Sequence, residues 1–167
     1  MKHIKRLLIC VLIIISIFAL ASCDDKPQAK LLTDLQLPAL KDNQAAVIIK
    51  NGDKDYVSYT VDLTKFGETD VTAEAVLTYL ETEAGLTIDW TDSAFGKFIN
   101  AIGGINPDAS KNEYVTVLTT NAAFQGTWAG VTEYELGEGV SLKDAAVGVT
   151  ELLVAAGDVV YFELASY

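Results

Sequence analysis

Ala46-Val47-Ile48-Ile49-Lys50-Asn51-Gly52-Asp53-Lys54-Asp55-Tyr56-Val57-Ser58-Tyr59-Thr60-Val61-Asp62-Leu63 is the stretch whose reading decides the fold. Two runs rich in β-branched and aromatic residues flank an Asn-Gly turn signal, the pattern of a β-hairpin. Downstream, Thr69 to Ala84 places Ala73, Val76, Leu77 and Leu80 at helical spacing. Asp70 or Thr72 suits the start of that helix and Gly85 its end. Leu86-Thr87-Ile88-Asp89-Trp90 then alternates as a strand. Ser93 to Ile105 is open between two readings: Phe95, Phe98, Ile99 and Ile102 fit a helix, while the β-type residues and Gly103-Gly104 fit a strand and turn. Tyr114 to Thr120, Val131 to Leu136, Glu151 to Val154 and Val159 to Leu164 read as strands, punctuated by glycines. A hairpin, one helix and several further short strands predict a single α+β domain over residues 45–167.

Outward toward the N-terminus the pattern dissolves. Residues 24–44 carry Pro27, Pro38 and four aspartates among lysines and leucines, with no sustained period. They read as a tether which, fully extended, reaches about 65–70 Å. Its leucines, Leu31, Leu32, Leu35, Leu37 and Leu40, are numerous for a spacer and suit an arm packed back onto the domain. Ahead of it, Lys2, Lys5 and Arg6 precede an apolar run from Leu7 to Ala21, broken only by Ser16. A basic end, an apolar middle and small residues compose a secretory signal over residues 1–22, too short for the ~20 residues of a permanent span.

Leu20-Ala21-Ser22-Cys23 resembles the lipobox of bacterial lipoproteins. The resemblance implies cleavage between Ser22 and Cys23 and acylation of the Cys23 thiol, with residues 23–44 as acylated cysteine and tether. The expected location is extracytoplasmic, anchored to the cell membrane by lipid.

The chain carries 12 basic and 23 acidic side chains. Loss of the three basic residues in the signal leaves nine against 23, a net charge of −14. Such a field repels phosphate backbones and anionic headgroups, so nucleic acid is a poor partner and membrane attachment falls to the lipid. The only histidine, His3, the only arginine, Arg6, and Cys10 all lie in the signal, leaving Cys23 as the sole mature cysteine. That excludes an internal disulfide, metal sites built on His or Cys, a Ser-His-Asp triad and a Cys-His pair. No catalytic residue and no metal ligand set is expected.

Three weaker patterns remain. Asn51-x-Asp53-x-Asp55 with Asp62 at the twelfth position has the oxygen spacing of a calcium loop, but Tyr56 stands where such a loop needs glycine. Asp89/Asp92 and Glu133/Glu135 have the residue types of glycoside hydrolysis, yet 23 acidic residues make such pairs a matter of composition. Ser141-Leu142-Lys143 has the wrong spacing for serine–lysine catalysis. Aromatic residues are the better signal, because rings with nearby amides recognise ligands by stacking and hydrogen bonding. Trp90, Phe95, Phe98, Tyr114, Phe124, Trp128, Tyr134 and Tyr161 lie in the second half of the domain. Phe124 and Trp128 fall in the small, turn-rich segment Asn121 to Gly130 and are the least core-like.

From Val71 onward the order of features resembles the transcobalamin-like C-terminal domain. The counterparts are Val71 to Leu80, then Phe95-Gly96-Lys97-Phe98-Ile99-Asn100-Ala101-Ile102-Gly103-Gly104, then Tyr114 to Asn121, and Gly148 to Phe162 with Gly157-Asp158 before the last strand. Val115 stands where the family has tryptophan, and Ala122 follows Asn121 instead of glycine. The resemblance implies a β-grasp-like fold and favours a strand for Phe95 to Ile102. It also implies a non-enzymatic binding module that presents a small ligand, such as a corrinoid, to a transporter or other envelope partner. Tyr114, Asn121, Phe124 and Trp128 are the candidate ligand contacts. The alternative function is a structural or adhesive envelope protein that engages surface proteins or glycans.

Overall fold

The computed structural model describes residues 26–167 apart from 33, 53–54, 68–69 and 138. The signal, Ser22 and Cys23 lie outside the described residues, as does Thr69. The described chain is mixed α+β, with strands β1 (Lys30–Leu32), β2 (Gln44–Asn51) and β3 (Asp55–Asp62), helix α1 (Ala73–Ala84), then β4 (Ile88–Ser93), β5 (Gly96–Ile102), β6 (Glu113–Thr119), β7 (Glu133–Glu135), β8 (Ser141–Asp144) and β9 (Val159–Ser166). A seven-stranded sheet runs in the order β1-β3-β2-β9-β6-β8-β7, and β4 and β5 form a separate two-stranded sheet.

The opening hairpin forms as its sequence dictates. β2 and β3 pair antiparallel from Gln44↔Asp62 to Asn51↔Asp55, and Gly52 takes φ +82°, a value that costs glycine little. Ala45 to Ile49 are all buried, because β2 sits mid-sheet with both faces covered, and a strand so placed is apolar at every position. Its other neighbour is β9, parallel, with Ala46↔Val159 through Ile49↔Phe162 in register. Parallel neighbours need a long crossover, and here everything from β3 to β9 supplies it.

Helix α1 covers one face of the sheet through Ala73, Val76, Leu77 and Leu80, which join Val47, Ile49, Val160 and Phe162 in the larger core. Three of the free N–H groups at its start find partners outside the helical ladder. The Thr72 hydroxyl accepts from Ala75 N, while Ala73 N and Glu74 N donate to the carbonyls of Leu152 and Val149. This use of residues 149–152 corrects the strand expected over Glu151 to Val154. Their backbone caps a helix, and only an isolated bridge, Leu153 to Thr72, remains. At the other end Gly85 adopts φ +68° and its N–H closes onto Leu80 O.

On the opposite face a smaller core gathers Ala46, Ile48, Leu118, Leu142, Val159 and Tyr161, against which Leu35 and Leu40 pack. Within residues 24–44, Lys30–Leu32 adds β1 to the edge of β3, and Pro27 is buried. Sequence reading anticipated neither β1 nor β8, and of Val131 to Leu136 only Glu133–Glu135 is strand. Residues 95–102 resolve to a strand from Gly96, with Phe95 in the turn before it. Among the described residues no helix is long and apolar enough to cross a membrane.

Candidate functional site

The β4–β5 hairpin carries the first wall of the site, and a bulge shapes it. Asp89 pairs with Ala101 but Trp90 pairs with Ile99, so Asn100 is an extra residue on β5. An extra residue re-aims the side chains beyond it. Ile99 and Ile102, three apart, are therefore both buried, while Phe98 turns outward with 54% of its surface exposed. Asn100 is fixed at the bulge by donating its amide to Thr91 Oγ1 at 2.8 Å and to Asp89 Oδ2 at 3.3 Å.

The hairpin is in turn tied to α1. Lys97 Nζ lies 3.2 Å from Glu74 Oε1, Thr150 Oγ1 donates to Glu74 Oε2 at 2.8 Å, and Lys97 N donates to Thr150 Oγ1. Trp90 Nε1 donates to Glu81 Oε2 at 3.0 Å, and the Lys97 ammonium sits 5.3 Å over the Trp90 ring. These contacts fix the hairpin on α1; β5 also lies beside β6, with no strand pairing between the two.

The second wall is the first half of β6. β6 pairs along its full length with β9, but with β8 only at Leu118 and Thr119. One further bond, Ala145 N to Val117 O, marks which side Val117 presents. Backbone groups two residues apart on a strand face the same way, so Val115 offers its N–H and C=O at this edge, where no strand pairs with it among the described residues. The edge and β5 enclose an open cavity of about 550 Å³ lined by Phe98, Ile99, Asn100, Pro107, Ala109, Glu113, Tyr114, Val115 and Tyr167. Tyr114 pairs with Ala165, two residues before Tyr167, so the two tyrosines are diagonal neighbours on one face. Their ring centroids lie 5.9 Å apart with planes tilted by 42°. Tyr167 is 88% exposed. Glu113 Oε2 accepts from Asp108 N at 2.9 Å, whereas its Oε1 accepts no hydrogen bond among the described residues.

Of the four residues singled out from sequence, Tyr114 alone lines this cavity. Asn121 is a joint: its amide donates to Asp158 Oδ2 at 2.9 Å and to Leu153 O, and its Oδ1 accepts from Ala123 N. Phe124 packs half-buried against the larger core. Trp128 is 49% exposed and lies on Gly126, where a Cβ would collide with the ring. Phe98 and Tyr167 were missed as site residues. Phe98 carried a signal, since two large apolar neighbours such as Phe98-Ile99 cannot face the same side of a strand.

The remaining motifs separate. Asp53 lies outside the described residues, Asn51 and Asp55 face each other across the turn, and Asp62 caps the 3-10 turn Leu63–Phe66 at the far end of β3. Thr64 holds the Asp62 carboxyl below the ordinary carboxylate range through hydroxyl and backbone bonds. Glu133 pairs with Lys143 at 2.8 Å, and Glu135 is exposed. Among the described residues no group of three or more His, Cys, Asp or Glu side chains is arranged to hold a metal ion.

One polar cluster lies on the sheet face that carries the smaller core. Glu163, 7% exposed on β9, accepts from Tyr134 Oη at 2.8 Å and Tyr161 Oη at 3.0 Å, with Lys50 Nζ at 3.5 Å. Burial first, and Glu163 next, push the Tyr134 phenol up to about 12. Burial followed by Glu163 also raises the Tyr161 phenol. The cluster is fully hydrogen-bonded and ties β7 to the sheet.

No protein-family profile matches the sequence, and no curated protein matches it. Solved structures similar in arrangement include the following two. A candidate metal-binding protein from Ruminococcus gnavus ATCC 29149 superposes with a TM-score of 0.48 at 16% identity, over 75% of this chain and 98% of that one. Haptocorrin in complex with Cbi superposes with a TM-score of 0.44 at 9% identity, over 77% of this chain and 26% of haptocorrin.

Proposed function

We propose that this chain is a lipid-anchored, extracytoplasmic binding module with a β-grasp-like domain and no catalytic role. It holds a small ligand in the cavity between β5 and β6 and presents it to a transporter or envelope partner. One observation carries the reading: three aromatic side chains, Phe98, Tyr114 and Tyr167, surround an open cavity of about 550 Å³ instead of entering the core. That volume falls within the ~300–1,000 Å³ of small-molecule sites. The absence of histidine and arginine after residue 6, and of cysteine other than Cys23 after residue 10, supports binding over catalysis. A corrinoid is the ligand suggested by the sequence resemblance.

The test uses the full-length chain in a polyoxyethylene detergent, titrated with cobalamin, cobinamide and a panel of small metabolites. A bound ligand at a hundredfold its Kd adds about 2.7 kcal/mol of stability, read as a raised thermal midpoint that Tyr167→Ala reduces. No visible spectral change with either corrinoid eliminates the corrinoid. No thermal shift with any compound overturns the binding reading.

Half-exposed Trp128, which does not line the cavity, favours a second reading, an adhesive or structural envelope protein. Cross-linking in the envelope then yields one stoichiometric partner, lost in Trp128→Ala, with no small-molecule binding.

A further inference from the structure

The β5–β6 cavity has a chemical character that narrows its ligand. Its aliphatic lining is Ile99, Pro107, Ala109 and Val115, and its aromatic members are Phe98, Tyr114 and Tyr167. No lysine is among its lining residues. Its one ionisable carboxylate, Glu113, keeps Oε1 unengaged among the described residues while Oε2 is fixed by Asp108 N. The basic side chains nearest in sequence are turned elsewhere, Lys97 to Glu74 at 3.2 Å and Lys111 to Asp108 at 3.4 Å. The aromatic face is electron-rich and attracts ammonium groups, most strongly where water is displaced. Around it, the chain beyond the signal carries 14 more acidic than basic side chains, a field that concentrates cations at the surface. A neutral sugar or an anion would use none of these features fully, and an anion would be opposed by Glu113.

Building on the binding function proposed above, we infer that the cavity selects a soluble organic cation, a methylated ammonium compound. The aromatic rings contact its methyl groups and Glu113 neutralises its charge. Hydration favours methylation, since a primary ammonium gives up three hydrogen bonds to water on entry, which the free Glu113 oxygen, the Asn100 amide oxygen and the Val115 carbonyl must replace together. A quaternary ammonium has no N–H to satisfy.

The experiment measures calorimetric titration of the full-length chain in polyoxyethylene detergent with choline and with its neutral tert-butyl isostere, which matches it in shape. The expected result is at least tenfold tighter binding of choline. Glu113→Gln, which retains an acceptor for Asp108 N, lowers choline affinity about fivefold and leaves the isostere unchanged. Tyr167→Ala weakens both, and a side chain 88% exposed can be removed without threatening the fold. Equal affinity for choline and isostere, or an unaltered preference in Glu113→Gln, overturns the cation inference while ligand binding stands. Failure of both probes overturns it too, and the binding function then depends on the corrinoid and metabolite titrations. Glucose binding more tightly than choline overturns it in favour of a saccharide.

Discussion

Replacing Tyr134 by Phe tests whether the buried carboxylate at Glu163 holds the β7 edge onto the sheet. The substitution deletes one oxygen and keeps the ring, including its edge-on contact with Tyr161 at 6.1 Å. Glu163 Oε1 then loses its 2.8 Å donor, while Oε2 keeps Tyr161 and Lys50. A hydrogen bond to a charged group contributes about 1.5–3 kcal/mol. Because Tyr134 is only half-buried, water reaches the vacated position and the lower end applies, about 1.5 kcal/mol. Each kcal/mol shifts the thermal midpoint of a chain of this size by about 4 °C, so Tyr134→Phe is expected to melt about 6 °C lower. Urea unfolding should show a reduced midpoint at unchanged slope. In a Glu163→Gln background the acceptor is neutral and the bond contributes about 0.5–1.5 kcal/mol, so the same change should cost less. The alkaline limb gives an independent reading. A phenol whose folded value is raised stabilises fully below its unfolded value of 10.0, and that contribution is lost as pH rises through about 12. Tyr134→Phe should lose this part of the alkaline transition. A cost below about 0.5 kcal/mol, equal with and without the Glu163→Gln change, would refute the assignment.

Two further outcomes follow from the geometry. Gly96 and Gly52 both have positive φ, +94° and +82°, but a Cβ at Gly96 would lie 2.6 Å from Thr150 Oγ1 whereas one at Gly52 meets nothing within 4 Å. Gly52→Ala should cost roughly the 1–2 kcal/mol of left-handed strain and Gly96→Ala measurably more. Equal denaturant midpoints for the two variants would show that Thr150 yields freely. Acid pH should reveal opposed carboxylates. Burial raises Asp158, so its protonation favours the folded state and stability gains as pH falls through its folded value. Asp62 and Asp108, held low by Thr64 and Ser110, contribute stability above the ordinary carboxylate value that is lost as pH falls through their folded values. Asp158→Asn should therefore retain the acid loss and remove the gain, in thermal midpoints followed from neutral to acid pH. An unchanged profile would count against the burial argument.

What sequence could reveal depended on where local pattern and local structure coincide. The hairpin was legible because Ala45 to Ile49 and the Asn-Gly turn are local signals, and so was the helix, because Thr72 and Gly85 are ordinary caps around a regular apolar stripe. The ambiguity at Phe95 to Ile102 had a physical origin. The bulge at Asn100 places two buried isoleucines three apart, which imitates a helical period within a strand. Glu151 to Val154 reads as a strand because Leu152 and Val154 alternate, yet their carbonyl neighbours are drawn to the helix start, a pairing no window of sequence contains. The site itself was half visible. Tyr114 could be named, but Tyr167 reaches it only through the β6–β9 register. Phe124, isolated in a polar segment, found the core by folding of the loop. Glu163 had a clear signal, a lone charge in Val159-Val160-Tyr161-Phe162-Glu163-Leu164.

The parallel pairing of β2 with β9 also governs time. Ala46 and Val159 stand about 110 positions apart in the chain yet are neighbours at the centre of the sheet. Closing so long a loop precedes the contacts that offset its entropy, and topologies of this kind fold slowly. Until Val159 to Phe162 are in place, the opening hairpin has one central edge uncovered and half of the larger core lacks its lining. The domain thus has no route to its native core by growth from the N-terminus. Assembly is a late event, and any machinery that must handle the chain unfolded has until the arrival of its last strand to do so.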